Sequence, residues 1–192
     1  MTIEYYQRNA NTFFESTKAV DMSDFYQLFT SDLPKGGLIL DAGCGSGRDT
    51  KSFLNMGYHV EAFDASSELA LLASQLTGIE VKTSKFEYVI DKEIYDGIWC
   101  CASLLHVPLG ELPQTLERLS DALKPKGVLY MSFKYGDTQR EVEGRLFTDM
   151  NEVRLTALLK PITNLSEQQI WITHDKRPTR SDVWLNVLLK KS

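Results

Sequence analysis

Apolar positions in this chain fall into two patterns that alternate along its length. Leu38-Ile39-Leu40, Val60 to Phe63, Ile98-Trp99-Cys100-Cys101 and Val128 to Phe133 are short, nearly unbroken runs. Such runs fit strands buried on both faces. Between them the apolar residues recur at helical spacing. Phe53 and Leu54 follow the first run on the buried side of a predicted helix. Leu112, Leu116, Leu119 and Leu123 step by four, three and four. Gly57 ends the first of these helices. A second, Ser67 to Gln75, is closed by Gly78, and a short third strand is expected at Ile79 to Lys82. Lys124-Pro125-Lys126-Gly127 stops the leucine helix and leads into the fifth strand at Val128. Strands alternating with helices predict an α/β fold with a parallel sheet.

The flanks differ. Residues 1–36 read as helical, with Tyr5, Tyr6, Phe13 and Phe14 on one apolar face and Phe25, Leu28 and Phe29 on another. Pro34-Lys35-Gly36-Gly37 then turns the chain into the first strand. Beyond the fifth strand, Lys134 to Phe147 reads as a polar connection that includes Arg140, Glu141, Glu143 and Arg145. Asp149 is expected to begin a helix, with Glu152 as its reciprocal cap. Leu165 to His174 and Val183 to Lys190 read as two strands, and Asp175-Lys176-Arg177-Pro178 opens the connection between them.

The first strand ends in Asp41-Ala42-Gly43-Cys44-Gly45-Ser46-Gly47-Arg48-Asp49. Strand, glycine turn and helix form the entry unit of a doubly wound fold. Glycines let the backbone reverse sharply and approach a ligand with no Cβ between them. The Gly-x-Gly-x-Gly spacing is not the dinucleotide fingerprint, and Thr50 precedes Lys51-Ser52 where a P-loop needs glycine. A carboxylate at the strand's end suits a ligand with an ammonium group and no phosphates, such as S-adenosylmethionine (SAM). Asp64 ends the second strand, seventeen residues after Gly47. An acidic residue there either accepts both ribose hydroxyls of an adenosine or caps the helix that follows.

Leu40-Asp41-Ala42-Gly43-Cys44-Gly45-Ser46-Gly47 resembles the first motif of class I SAM-dependent methyltransferases. Its Gly47-Arg48-Asp49 continuation is similar to the branch that includes tellurite-resistance methyltransferases. Tyr95 to Cys101 resembles the family's fourth strand, and the leucine helix, Leu-Lys-Pro and following strand resemble a further regular stretch. The likeness runs from about residue 36 to the end of the chain. It implies a single-domain Rossmann-like doubly wound sheet over 37–192, mostly parallel with an antiparallel C-terminal hairpin strand, and residues 1–36 as an N-terminal helical lid segment. It implies SAM as cofactor and S-adenosylhomocysteine as product. The implied cofactor-binding residues are Asp41, Gly43, Gly45, Gly47 and Arg48 in the turn, Asp64 and Ala65 after the second strand, Phe86 beside the adenine, and Cys101 and Ala102 after the fourth strand. The family often has a carboxylate just before the adenine-packing residue, and here Lys85 stands in its place. The Asn/Asp-Pro-Pro-Tyr motif of base and amide methyltransferases is replaced by Ala102-Ser103-Leu104-Leu105, which counts against those substrates.

His106, just past the fourth strand, is the candidate general base, or else it packs its loop. Tyr5, Tyr6, His106, Tyr135 and Arg145 are the candidate acceptor-binding residues, and Arg140 and Arg145 suit an acidic substrate. The Tyr5-Tyr6 pair reads equally as simple packing.

Composition narrows the function further. The 192 residues carry 26 acidic and 21 basic side chains, a formal net charge of −5, against a partner held mainly by phosphate contacts. The expected partner is a small-molecule methyl acceptor, with no nucleic acid and no membrane. Three cysteines, two of them adjacent in a core strand, suggest a reducing cytoplasm and no disulfide framework. The histidines at 59, 106 and 174 are scattered and predict no metal site. The N-terminus lacks a signal-peptide core. The expected function is methyl transfer from SAM to a small molecule. A non-catalytic SAM or adenosine-ligand module and an NAD(P)-dependent oxidoreductase of similar topology stay open as alternatives.

Overall fold

The computed structural model describes residues 1–177 and 180–192, so Pro178 of the predicted connection lies outside the described residues. Seven strands form one sheet in the order β3-β2-β1-β4-β5-β9-β8. They are β1 (Leu38–Ala42), β2 (His59–Asp64), β3 (Val81–Thr83), β4 (Tyr95–Cys100), β5 (Leu123–Lys134), β8 (Leu165–His174) and β9 (Val183–Lys191). The first five pair in parallel, with Leu40 opposite both Glu61 and Ile98. Both C-terminal strands run antiparallel, β9 against β5 and β8 against β9. The strand order reverses between β1 and β4, and in open α/β sheets ligands bind at the carboxyl ends beside that point.

Helices cover the sheet: α1 (Thr2–Arg8), α2 (Ala10–Thr17), α3 (Ser23–Thr30), α4 (Arg48–Asn55), α5 (Ser67–Thr77), α6 (Leu112–Ala122) and α7 (Glu152–Leu159). On one face Phe29, Phe53 and Trp99 are fully buried together, and Trp99 stacks on Tyr130 with ring centroids 3.9 Å apart. Gly97 makes this packing possible. A Cβ there would lie 2.6 Å from Phe29 Cζ and 2.9 Å from Leu33 Cδ1. On the other face Leu112, Leu116 and Leu119 of α6 join Leu104, Leu129, Met131 and Leu155 in a larger core.

Several local expectations are corrected. The polar connection after β5 is a hairpin of β6 (Gln139–Val142) and β7 (Arg145–Thr148). Its turn residues Glu143 and Gly144 both have positive φ, 52° and 74°, the geometry that suits a two-residue hairpin loop. The following helix begins at Glu152, not Asp149. Asn151 caps it by accepting from the Arg154 N–H, while Asp149 receives both Nε and Nη2 of Arg140. Strand β5 starts at Leu123, before the Lys-Pro segment, because Leu123 pairs with Tyr95 across a bulge. The N-terminal helix is broken at Asn9, and Leu54 is half-buried where Phe53 is fully buried.

Candidate functional site

The glycine turn after β1 holds its shape through its own amides. The Gly43 and Cys44 N–H groups both donate to Phe63 O at 2.9 Å, and Gly47 N–H donates to Cys44 O. Gly45 N–H donates to Asp64 Oδ2 at 2.9 Å, and Ser66 N–H donates to Asp64 Oδ1 at 2.8 Å. The Asp64 carboxylate therefore joins the end of β2 to the turn. Burial raises its pKa, and the N–H groups of Ser66, Gly45 and Ala65 oppose that rise only in part. Four amides of the turn are thus engaged within the chain. A dinucleotide turn instead aims its amides at a pyrophosphate.

Below the turn lies a satisfied ionic cluster. Asp49 accepts from Tyr26 Oη, from Arg48 Nε and Nη2, and from Trp99 Nε1, all within 2.9 Å. Burial pushes the Asp49 carboxyl up, but Arg48 and the hydrogen bonds win and hold it below the usual range. Asp41 sits alongside, nearly inaccessible, and accepts from Thr50 Oγ1 at 2.6 Å. Burial, followed by the Asp49 charge, pushes its carboxyl up. The two carboxyls are thus pushed in opposite directions.

Above the turn is a cavity of about 1100 Å³. That exceeds the usual range for a single ligand, roughly 300–1,000 Å³, and leaves room for two molecules side by side. One wall runs through Gly43, Gly45, Asp64, Ala65 and Phe86. Another is made by Tyr5, Tyr6 and Phe13 of α1 and α2, and a third by Arg145, Leu146 and Phe147 of β7. Ser132, Trp184 and Asn186 of β5 and β9 also reach it. The φ of Gly45 is +56°, and a Cβ on it would lie 3.0 Å from Phe13 Cε1, so a side chain there would fill the cradle. Gln7 fastens α1 to the start of α5 by accepting from Ser66 Oγ and Glu68 N–H.

His106 bridges the helical segment and the hairpin. Its Nδ1 lies 2.6 Å from Leu146 O, a carbonyl that can only accept, so Nδ1 carries the proton. Nε2 then accepts from Tyr6 Oη at 2.8 Å. Burial lowers its pKa to about 4, against the hydrogen bond to Leu146, and the nearby Arg145 and Lys134 charges act in the same direction as burial. The imidazole is neutral at physiological pH.

The family described as a methyltransferase domain matches residues 39–127. Two curated relatives align in part. An uncharacterized protein of Methanocaldococcus jannaschii is 31% identical over 112 residues, covering 54% of this chain and 30% of its own length. YqeM of Bacillus subtilis, a candidate methyltransferase, is 25% identical over 147 residues, covering 69% of this chain and 58% of its own. The chain thus spans less than two thirds of the curated relatives it matches. A Burkholderia thailandensis 1,6-didemethyltoxoflavin-N1-methyltransferase, solved with 1,6-didemethyltoxoflavin and S-adenosylhomocysteine bound, superposes with a TM-score of 0.79 at 23% identity, covering 99% of this chain and 85% of that one. The fold is that of a class I SAM-dependent methyltransferase.

Within this methyltransferase fold the structure brings most of the expected residues together. Gly43, Gly45, Arg48, Asp64, Ala65, Phe86, Cys101, Ala102, Tyr5, Tyr6, His106 and Arg145 all line the cavity. Three do not. Asp41 lies beneath the turn, where its Oδ2 accepts from Thr50 Oγ1, and does not line the cavity. Gly47 is packed against α5, where a Cβ would meet Ala73 Cβ at 2.9 Å, so its glycine serves helix packing. Tyr135 points outward and donates to Glu152 Oε2. Arg140, expected with Arg145 for an acidic substrate, is taken up by Asp149. The sequence reading missed Asp49, Ser103, Lys134, Trp184 and Asn186 as wall residues. Asp49 stood in the quoted motif, but its partners Tyr26 and Trp99 are 23 and 50 residues away and left no local signal.

Among the described residues no group of histidine, cysteine, aspartate and glutamate is placed to hold a metal ion, and no helix is long and apolar enough to cross a membrane.

Proposed function

We propose that this protein transfers a methyl group from SAM to a small-molecule acceptor. The observation that carries the reading is the glycine turn, whose amides are spent on Phe63 and Asp64, beside a cavity large enough for cofactor and acceptor together. That arrangement suits an adenosine ligand without a pyrophosphate and speaks against the NAD(P) alternative.

Asp64 keeps carboxylate lone pairs for the ribose hydroxyls while it braces Gly45 and Ser66. Phe86, edge-on to Phe63 with centroids 5.5 Å apart, packs on the adenine. Gly45 lets the cofactor lie against the backbone, and Gly43, where a Cβ would lie 2.5 Å from Ser103 Cβ, makes room for that residue. Ala65 borders the ribose, and Arg48, Cys101 and Ala102 border the methionine part. When bound, SAM supplies a methyl carbon already activated by its positively charged sulfur. The chain's own contribution is orientation, which is worth on the order of 7–11 kcal/mol in favourable cases. Helices α1 and α2 close over the cavity as a lid and exclude water. Tyr5, Tyr6 and Arg145 face the acceptor. His106, held neutral, fixes the Tyr6 hydroxyl and leaves a weak base at the site. The Burkholderia structure, with 1,6-didemethyltoxoflavin and S-adenosylhomocysteine bound together, supports a small acceptor beside the cofactor. The free cysteines fit a reducing cytoplasm.

The test is a transfer screen. Purified protein is incubated with methyl-labelled SAM and fractionated metabolite extract, and the small-molecule fraction is counted. Label should move into a low-molecular-mass product. Cofactor binding without transfer to any fraction would favour the non-catalytic binding module.

A further inference from the structure

We propose that the acceptor carries an anionic oxygen group, such as a carboxylate, which seats against Arg145 with Lys134 nearby. The proposal rests on the methyltransferase reading and names the acceptor class for the same cavity.

Arg145 is poised and under-used. Its guanidinium lies 3.9 Å from the Tyr5 ring centroid and 5.2 Å from that of Phe147. The two rings fix its plane. Glu143 accepts from Nη2 at 2.7 Å with a side chain 65% exposed, exposed pairs of this kind contribute little, and the Tyr6 hydroxyl also lies against the guanidinium. Nε is buried with no hydrogen-bond partner, and Nη1 has none either among the described residues. A buried donor on a charged group costs free energy until something accepts from it. Of the other arginines that line the cavity, Arg48 is held by Asp49 and Arg177 by Asp175, each through two nitrogens, while Arg118 and Arg180 also reach it.

A second cation stands nearby. Lys134 Nζ lies 4.8 Å from the Phe147 centroid and is shared with Asp182. His106 stands between the hairpin and α1, and its two ring nitrogens are already bonded to Leu146 and Tyr6 in the neutral form. The positive charge of Arg145 and Lys134 that disfavours an imidazolium there favours an anion. Asp182 neutralises Lys134 in part, and the buried acids of the cavity have their own partners. Asp49 and Asp64 are each satisfied by several donors, and Asp175 by Arg177 and Trp184. A planar fork matched to a two-oxygen acceptor is what arginine recognises best.

The test is calorimetry on the full chain saturated with S-adenosylhomocysteine. The probes are matched neutral and anionic pairs, benzoate with benzamide and indole-3-carboxylate with indole-3-carboxamide. The expected result is that at least one carboxylate binds roughly tenfold or more tightly than its amide. Arg145→Gln should erase that preference, and Arg145→Lys should keep part of it. Equal affinity within every pair, absence of carboxylate binding, or a preference unchanged in Arg145→Gln would overturn the proposal. Comparing the pairs on the wild-type protein keeps the test decisive if a variant fails to fold. S-adenosylhomocysteine is titrated first. If it does not bind, the methyltransferase reading itself fails. If it binds and no anion preference follows, only the acceptor class is wrong.

Discussion

Replacing Asp64 with asparagine separates what the site needs from what the fold needs. In the folded chain the carboxylate accepts from Gly45 N–H and Ser66 N–H. Asparagine keeps one acceptor and turns an NH2 group toward the other N–H. The loss of one charge-assisted hydrogen bond costs about 1.5–3 kcal/mol. An opposing effect comes from burial, which raises the Asp64 pKa above its unfolded value. A carboxyl of that kind holds its proton more tightly when folded. Its ionisation therefore costs stability as pH rises from the unfolded pKa through the folded one. Asparagine removes that cost. The two changes oppose each other, so thermal unfolding of Asp64→Asn at pH 8 is followed beside binding to establish that the variant is folded. Cofactor affinity has no such offset. Two ribose hydroxyls lose a charged acceptor, one of them altogether, at about 2–3 kcal/mol, or roughly 30- to 150-fold in Kd. The assay is calorimetry with S-adenosylhomocysteine alongside thermal unfolding. Affinity unchanged within about twofold in a folded variant would refute the ribose role.

Three further outcomes follow from the same geometry. Gly45→Val, at φ +56° with Phe13 3.0 Å from the new Cβ, should leave a folded chain whose melting temperature no longer rises with SAM; a retained shift would show that the turn is not the cradle. Gly97→Ala should lose about 1–3 kcal/mol in urea unfolding, because its methyl would collide with Phe29 and Leu33, and an unaltered midpoint would contradict the packing described. His106, with a folded pKa near 4 set first by burial, should make wild-type stability fall as pH drops from about 6.5 toward 4, since the unfolded chain binds the extra proton in that window. His106→Phe should flatten the slope, and an identical slope in urea titrations at stepped pH would count against a buried neutral histidine.

The parts that could be read from sequence are those specified locally. Leu38 to Gly47 carries strand, turn and the backbone freedom of the turn in ten consecutive residues, and Asp64 follows from its place at the end of an apolar run. What could not be read depends on distant partners. The motif aspartate Asp41 reads locally as a ligand for an ammonium group, and its burial beneath the turn against Thr50 is set by the fold. Gly47 looks like a third cradle glycine, but the constraint on it comes from Ala73. The β6–β7 hairpin was hidden because Gln139-Arg140-Glu141-Val142 is solvent-facing and has no apolar alternation, and its turn is Glu-Gly rather than a stronger Asn-Gly signal. That hairpin brings Leu146 to His106, while Tyr6 approaches from 100 residues upstream. The proposed acceptor end of the cavity is assembled from such remote pairs, and for that reason the glycine turn was the more legible part in sequence.

The central claim is that the turn and Asp64 cradle an adenosine cofactor lacking a pyrophosphate. Parallel calorimetric titrations of the wild-type chain with S-adenosylhomocysteine and with NAD test it most directly. The account predicts saturable one-to-one binding of S-adenosylhomocysteine and no binding heat from NAD. Binding of NAD in place of S-adenosylhomocysteine would contradict it.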